Sequence, residues 1–202
     1  FDVCIRFLKE NPWERVRLMR ERVRNAPLRG FMRSKGYSFT DIMPDDLNDL
    51  MIERMVANGF GAIVAFDGLS DPENILRTLL LARKLGARAI GCLAYSLSPV
   101  HTDELYVRMA EELVRKNAVD AIMIKDSGGL LTVDRIRTLV PAVRKVIGST
   151  TLELHSHCIT GLAPLVYLEG VKLGVDQIHT SIAPLANGIA QPSTQAMVRD
   201  LR

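Results

Sequence analysis

The sequence predicts an α/β chain of parallel βα units, arranged as an incomplete (β/α)8 barrel with about six units. Three observations predict it. Short apolar runs alternate with amphipathic helical patterns, the mark of parallel βα units. The apolar runs end near residues 33, 67, 95, 125, 156 and 180, a spacing of 24 to 34 residues. Polar residues stand at those ends: Arg33, Asp67, Tyr95-Ser96, Lys125-Asp126, His155-x-His157 and His179-Thr180-Ser181. Barrel strands bring such residues to one mouth. A doubly wound open sheet is the other layout this alternation allows, and it usually carries a glycine-rich phosphate turn after its first strand. No GxGxxG or P-loop pattern is present, and Gly128-Gly129 lacks both spacings.

The elements follow in order. Asn11-Pro12-Trp13-Glu14 reads as a helix start, with Asn at the N-cap, Pro at N1 and Glu at N3. That helix should run to about Asn25, with Trp13, Val16, Leu18, Met19 and Val23 as its apolar stripe. Pro27 to Met32 reads as a strand ending at Arg33. Pro44-Asp45-Asp46 opens a helix to about Ala57, with Gly59 beyond it. Ala62 to Phe66 is a buried strand ending in Asp67, and Asp71-Pro72-Glu73 caps a helix to about Leu85. Strands then follow at Arg88–Ala94, Val119–Ile124, Thr151–His155 and Val175–Thr180. Helices lie between them over about 102–117, 132–147 and 160–173, and a last one starts near Ser193.

Composition narrows the classes. With 202 residues, 48% hydrophobic and 24% charged, the chain can bury one sizeable core. The net charge is only +3, and the arginines of 15–33 alternate with glutamates along a solvated helix pattern, so nucleic acid is not implied. The longest apolar runs are far too short to insert in a membrane. Cys4, Cys92 and Cys158 lie far apart without CxxC spacing, which argues for a reducing compartment. A single soluble cytoplasmic domain over 1–202 is expected. A barrel needs eight units in about 250 residues, so the strands and extension that complete it are expected outside this chain.

One constellation points to chemistry. His155 and His157 are spaced i, i+2, which on a strand puts both imidazoles on one face. Lys125-Asp126 ends the preceding strand. The four could converge on a metal, or one His is buried, the other exposed and the Lys ion-paired.

Six stretches, in order, resemble the carboxyltransferase domain of pyruvate carboxylase, transcarboxylase and oxaloacetate decarboxylase. That group belongs to a metal-dependent barrel superfamily including hydroxymethylglutaryl-CoA lyase. The stretches are FDVCIRFLKENPWERVRLMRE, PLRGFMRSKGYSFTDIMPDD, ANGFGAIVAFD, IKDSGGLLT, LHSHCITG and AQPS. The resemblance implies biotin-dependent carboxyl transfer to or from a 2-oxo acid such as pyruvate, through a metal-stabilised enolate. It implies a carbamylated Lys125 that binds a divalent metal (Zn, Mn or Co) with His155 and His157. It also makes Lys125 and Arg33 catalytic, with Arg33, Asp67 and Thr180 on the substrate side. A biotin carboxyl carrier domain delivering carboxybiotin is the implied partner, and a homodimer the implied assembly.

Departures from the pattern stand beside it. The family's fourth metal ligand, an aspartate of a first-strand motif, and its catalytic threonine are expected outside residues 1–202. Val64 replaces a family arginine, Ser34 a glycine and Cys158 an aspartate, and ANGIAQPS departs from the family loop. These leave two further readings open: a metal-dependent carbon–carbon lyase or aldolase of the same superfamily, and a non-catalytic homologue of a carboxylase complex.

Overall fold

The structure is a computed structural model that describes residues 1, 3–36 and 42–202. Residues 37–41, inside the second of the matching stretches, therefore lie outside the described residues. Two units are distinguished, Phe1–Gly91 and Cys92–Arg202.

In the first unit, Asn11 caps α1 (Pro12–Arg22) by accepting from the amides of Trp13 at 3.0 Å and Glu14 at 3.5 Å. The helix stops at Arg22, short of the expected Asn25. Arg20 donates to the carbonyl of Val23 at 2.6 Å, turning the chain there. The expected apolar stripe is also corrected. Pro12 and Val16 are buried, while Leu18, Met19 and Val23 are exposed.

β1 (Leu28–Met32), α2 (Asp45–Ala57), β2 (Phe60–Ala65) and α3 (Pro72–Lys84) complete this unit with the first residues of β3 (Arg88–Ala94). β1 pairs in parallel with β2, and β2 with β3. β2 starts two residues before its apolar run because Phe60 already pairs with Leu28. Asp71 caps α3 by accepting from the Glu73 amide at 3.0 Å. Met32, Ile52, Met55, Ile63, Ile75 and Leu79 form the solvent-free interior.

The second unit continues with α4 (Asp103–Arg115), β4 (Ala121–Asp126), α5 (Val133–Ile147), β5 (Thr151–Ser156), α6 (Ala163–Lys172), β6 (Gln177–Ile178) and α7 (Thr194–Asp200). The end of β3 lies beside β4, where the Tyr95 amide donates to the Lys125 carbonyl at 2.8 Å. β4 pairs in parallel with β5, and β5 with β6. Ala121 to Ile124 are buried without exception, as parallel strands covered on both faces require.

Strand neighbours follow chain order in each unit, without the reversal that marks a doubly wound sheet. This is the topology of an incomplete (β/α) barrel of six units, as the sequence predicts. Two boundaries shift in the second unit. α6 begins three residues later than expected: the Thr160 hydroxyl donates to the carbonyl of Gly129, and Pro164 stands in the first turn of the helix, where a proline is tolerated. β6 is two residues long instead of six, although amides of Asp176 and His179 extend the bonding to Leu152 and Leu154 at 2.9 and 3.0 Å. No helix among the described residues is long and apolar enough to cross a membrane.

Candidate metal centre

Register builds the site. Lys125 pairs with His155 across β4 and β5, and Asp126 with Ser156. Along β5, period two sends Leu152 and Leu154 to one face and Glu153 and His155 to the other. His157 follows just past the strand end and comes back to His155. The ring centroids are 5.1 Å apart and the two Nε2 atoms 3.2 Å apart.

Three groups fix the backbone that presents these rings. Tyr167 of α6, fully buried, accepts from the Ser156 amide at 2.9 Å and donates to the Ser156 carbonyl at 3.2 Å. Asp126, also fully buried, accepts from the amides of Leu130 and Leu131 at 2.9 Å each and from the Ser156 hydroxyl at 2.8 Å. Its carboxylate thus holds the β4 turn rather than joining a metal cluster. Gly129, at φ 64°, lies so close to the next loop that a Cβ there would sit 2.6 Å from the His157 carbonyl oxygen.

The proton positions follow from the acceptors at the ends of the cluster. His157 Nδ1 meets the Ile189 carbonyl, which only accepts, so a neutral His157 carries its proton on Nδ1. His155 Nδ1 meets His179 Nδ1 at 3.0 Å, and His179 Nε2 meets Glu153 Oε2 at 3.1 Å. The Gln191 amide nitrogen lies 3.2 Å from His155 Nε2, and the Ser181 hydroxyl donates to the Gln191 oxygen at 3.2 Å. A donor aimed at His155 Nε2 requires a lone pair there. Both Nε2 atoms then face each other as acceptors.

Two lone pairs at that separation fit a shared cation. Metal–nitrogen distances of about 2.0–2.1 Å with angles between square and tetrahedral put two nitrogens about 2.8–3.4 Å apart. Among the described residues, no group of three or more His, Cys, Asp or Glu side chains could hold a metal ion. Two imidazoles therefore need a third ligand of other chemistry. Lys125 donates to Ser127 Oγ as an ammonium; as a carbamate it would offer oxygen.

The other expected residues are distributed between the units. Arg33 is exposed directly after β1, its guanidinium 5.9 Å from the centre of the Phe66 ring. Asp67, after β2, accepts from the amides of Leu69 and Asp71 at 3.1 and 3.0 Å and from Asn74 Nδ2 at 3.0 Å, so it holds the turn into α3. Thr180 shares a 2.8 Å hydroxyl contact with Thr194, which itself donates to the Ser181 carbonyl. That sequence of donors leaves the Thr180 oxygen with lone pairs to offer. Val64 is fully buried in β2. Burial pushes the Cys158 thiol up from its ordinary value, which favours a neutral thiol over an anionic ligand.

Glu153, His179 and Gln191 carry no role in the sequence reading. Glu153 has a signal, an acid between two leucines of a buried strand, and His179 stands among the polar strand ends. Only the β5–β6 register, which pairs Leu154 with Ile178, brings His179 opposite His155.

No sequence-family profile matches the chain. It is 38% identical to a pyruvate carboxylase subunit of Methanocaldococcus jannaschii over all 202 residues, covering 35% of that protein. It is 31% identical to the methylmalonyl-CoA carboxyltransferase 5S subunit of Propionibacterium freudenreichii, covering 100% of this chain and 40% of that one. The carboxyl transferase domain of Rhizobium etli pyruvate carboxylase with pyruvate superposes with a TM-score of 0.94 at 27% identity, covering 100% of this chain and 35% of that one. The expected resemblance to carboxyltransferase domains is thereby borne out. The chain spans about a third of the length of these relatives.

Proposed function

We propose that this chain is the cation-binding part of a biotin-dependent carboxyltransferase, acting with a biotin carrier domain on a 2-oxo acid such as pyruvate. The observation that carries the reading is the pair of Nε2 atoms 3.2 Å apart, beside Lys125 in register, in a chain whose 202 residues all align with about a third of a pyruvate carboxylase subunit. A divalent cation (Zn, Mn or Co) there would supply the positive charge that polarises a 2-oxo acid and stabilises its enolate.

The chain's own residues do the rest. His155 and His157 offer their Nε2 atoms, with the protons held on the far side of each ring. The Lys125 ammonium would first give up one proton; its free amine nitrogen would then bond to the carbon of carbon dioxide and release a second, leaving an anionic carbamate oxygen as donor. This removes an ammonium that a nearby dication would repel. Arg33 presents a guanidinium suited to a carboxylate or an enolate oxygen. Asp67 and Thr180 stand at strand ends on the substrate side of the reading. A cytoplasmic location belongs to it as well, supported by three cysteines without a disulfide. So does a homodimer, supported by the exposed Val3, Ile5, Phe7 and Leu8.

The intact protein tests the reading through decarboxylation of oxaloacetate with biotin as carboxyl acceptor. Turnover should depend on both biotin and a divalent cation. It should fall at least about 100-fold in Lys125→Ala and His157→Ala, in line with loss of transition-state charge stabilisation. Cleavage of oxaloacetate or an acyl-CoA without biotin would favour a lyase instead, and no turnover would favour the non-catalytic reading.

A further inference from the structure

We propose that His179 and Glu153 are positioning residues that lock the tautomer of His155, so that its Nε2 carries the lone pair facing His157. This rests on the cation site of the proposed function and adds the device that prepares it. The cluster is a chain of four contacts: Glu153 Oε2 to His179 Nε2, 3.1 Å; His179 Nδ1 to His155 Nδ1, 3.0 Å; His155 Nε2 to His157 Nε2, 3.2 Å; and His157 Nδ1 to the Ile189 carbonyl.

Three neutral imidazoles bring three protons to four contacts, so one contact stays empty. With Glu153 as a carboxylate, the two end contacts take a proton each, because a carboxylate and a carbonyl only accept. The third proton lies either between His179 and His155 or between His155 and His157. With Glu153 holding the His179 proton on Nε2, His179 Nδ1 is an acceptor pointed at His155 Nδ1. The proton belongs there, since two lone pairs 3.0 Å apart would otherwise repel. Gln191, donating toward His155 Nε2, favours the same choice. The contact left without a proton is then the one between the two Nε2 atoms, and a cation bound there would take the His155 lone pair over from the Gln191 N–H.

Burial sharpens the arrangement. Glu153 is 0% exposed and the His179 side chain 15%. In such surroundings a carboxylate fixes its partner's proton more strongly than in water. Carboxylates or carbonyls commonly orient metal-ligating histidines, and their removal typically lowers affinity about 10–100-fold. Here a second imidazole carries the carboxylate's influence one ring further.

The test uses the intact, metal-free protein with 15N-labelled histidine, and Zn2+ alone as the titrant. The parent should show His155 protonated on Nδ1. His179→Leu removes the acceptor and should shift His155 toward the Nε2–H form, weakening Zn2+ binding about 10–100-fold. His179→Asn, whose amide oxygen can stand where Nδ1 stood, should restore the tautomer and most of the affinity. Circular dichroism and thermal melting confirm folding of each variant. A parent His155 protonated on Nε2, or an unchanged His155 spectrum in folded His179→Leu, overturns the lock. A parent that binds no Zn2+ yet shows the Nδ1–H tautomer, lost in His179→Leu, upholds the lock and overturns the cation site.

Discussion

Tyr167→Phe removes one oxygen from the interior and leaves the shape of α6 unchanged. That oxygen accepts from the Ser156 amide at 2.9 Å and donates to the Ser156 carbonyl at 3.2 Å. Ser156 is 1% exposed, so water cannot replace either bond. A buried N–H left without a partner costs about 1–3 kcal/mol. The carbonyl, with a second lone pair, adds less, so a loss of about 2–3 kcal/mol is expected. For a domain of this size that is a fall of about 4–12 °C in melting temperature. Tyr106→Phe is the internal comparison. Its hydroxyl accepts from the Ser96 amide at 3.0 Å and lies 3.4 Å from the Ser96 carbonyl, and Ser96 is only half-buried. Water can reach it, and about 1–2 kcal/mol should be lost. Urea unfolding with an unchanged denaturant slope measures both. A Tyr167→Phe variant within about 0.5 kcal/mol of the parent, or less destabilised than Tyr106→Phe, would refute the reasoning, since surface substitutions fall in that range.

Gly129→Ala should lose more stability than Gly86→Ala, and should weaken cation binding as well. Both residues have positive φ, 64° and 82°, but only at Gly129 would the Cβ meet backbone, 2.6 Å from the His157 oxygen. Gly86→Ala carries the left-handed penalty of about 1–2 kcal/mol alone; equal losses in the two variants would contradict the contact. Asp126→Asn should lose about 1–3 kcal/mol, because either amide orientation points an NH2 at a backbone N–H of Leu130 or Leu131; chemical unfolding indistinguishable from the parent would argue against that pairing. On acidification, the Leu152 amide and Arg144 hold Asp176 below its ordinary value of 3.8, and Arg77 holds Asp49 below the same value. Depressed carboxylates add stability that is fully present above about pH 4 and lost as pH falls through the lower folded values. Unfolding free energy should therefore be level from about pH 7 to 5 and decline below 4; a rise on acidification would reverse the sign.

The strands and their order were legible because Ile122-Met123-Ile124 and Ile63-Val64-Ala65 are apolar on both faces, and only a covered parallel strand accommodates that. Helix starts were legible where a cap residue does local work, as Asn11, Asp71 and Thr132 do. The His155–His157 pairing followed from strand period alone. Leu18 and Met19 misled, since spacing shows that a helix has an apolar stripe but not that the stripe is covered. Glu153 and His179 stayed hidden for another reason. They are 26 residues apart, and their contact depends on which β6 residue falls beside Leu154. Tyr106 and Tyr167 also became meaningful only once α4 and α6 were folded against the strand ends they brace.

The central claim is that His155 and His157 share a divalent cation through their Nε2 atoms. X-ray anomalous scattering from crystals of the intact protein, collected at the absorption edge of the element that mass spectrometry finds, tests it most directly. One anomalous peak is predicted between the rings, about 2.0–2.1 Å from each Nε2, with an oxygen of a carbamylated Lys125 at about 2.0–2.2 Å. A peak bonded through Nδ1, or no peak there in crystals grown with the cation in excess, would contradict the claim.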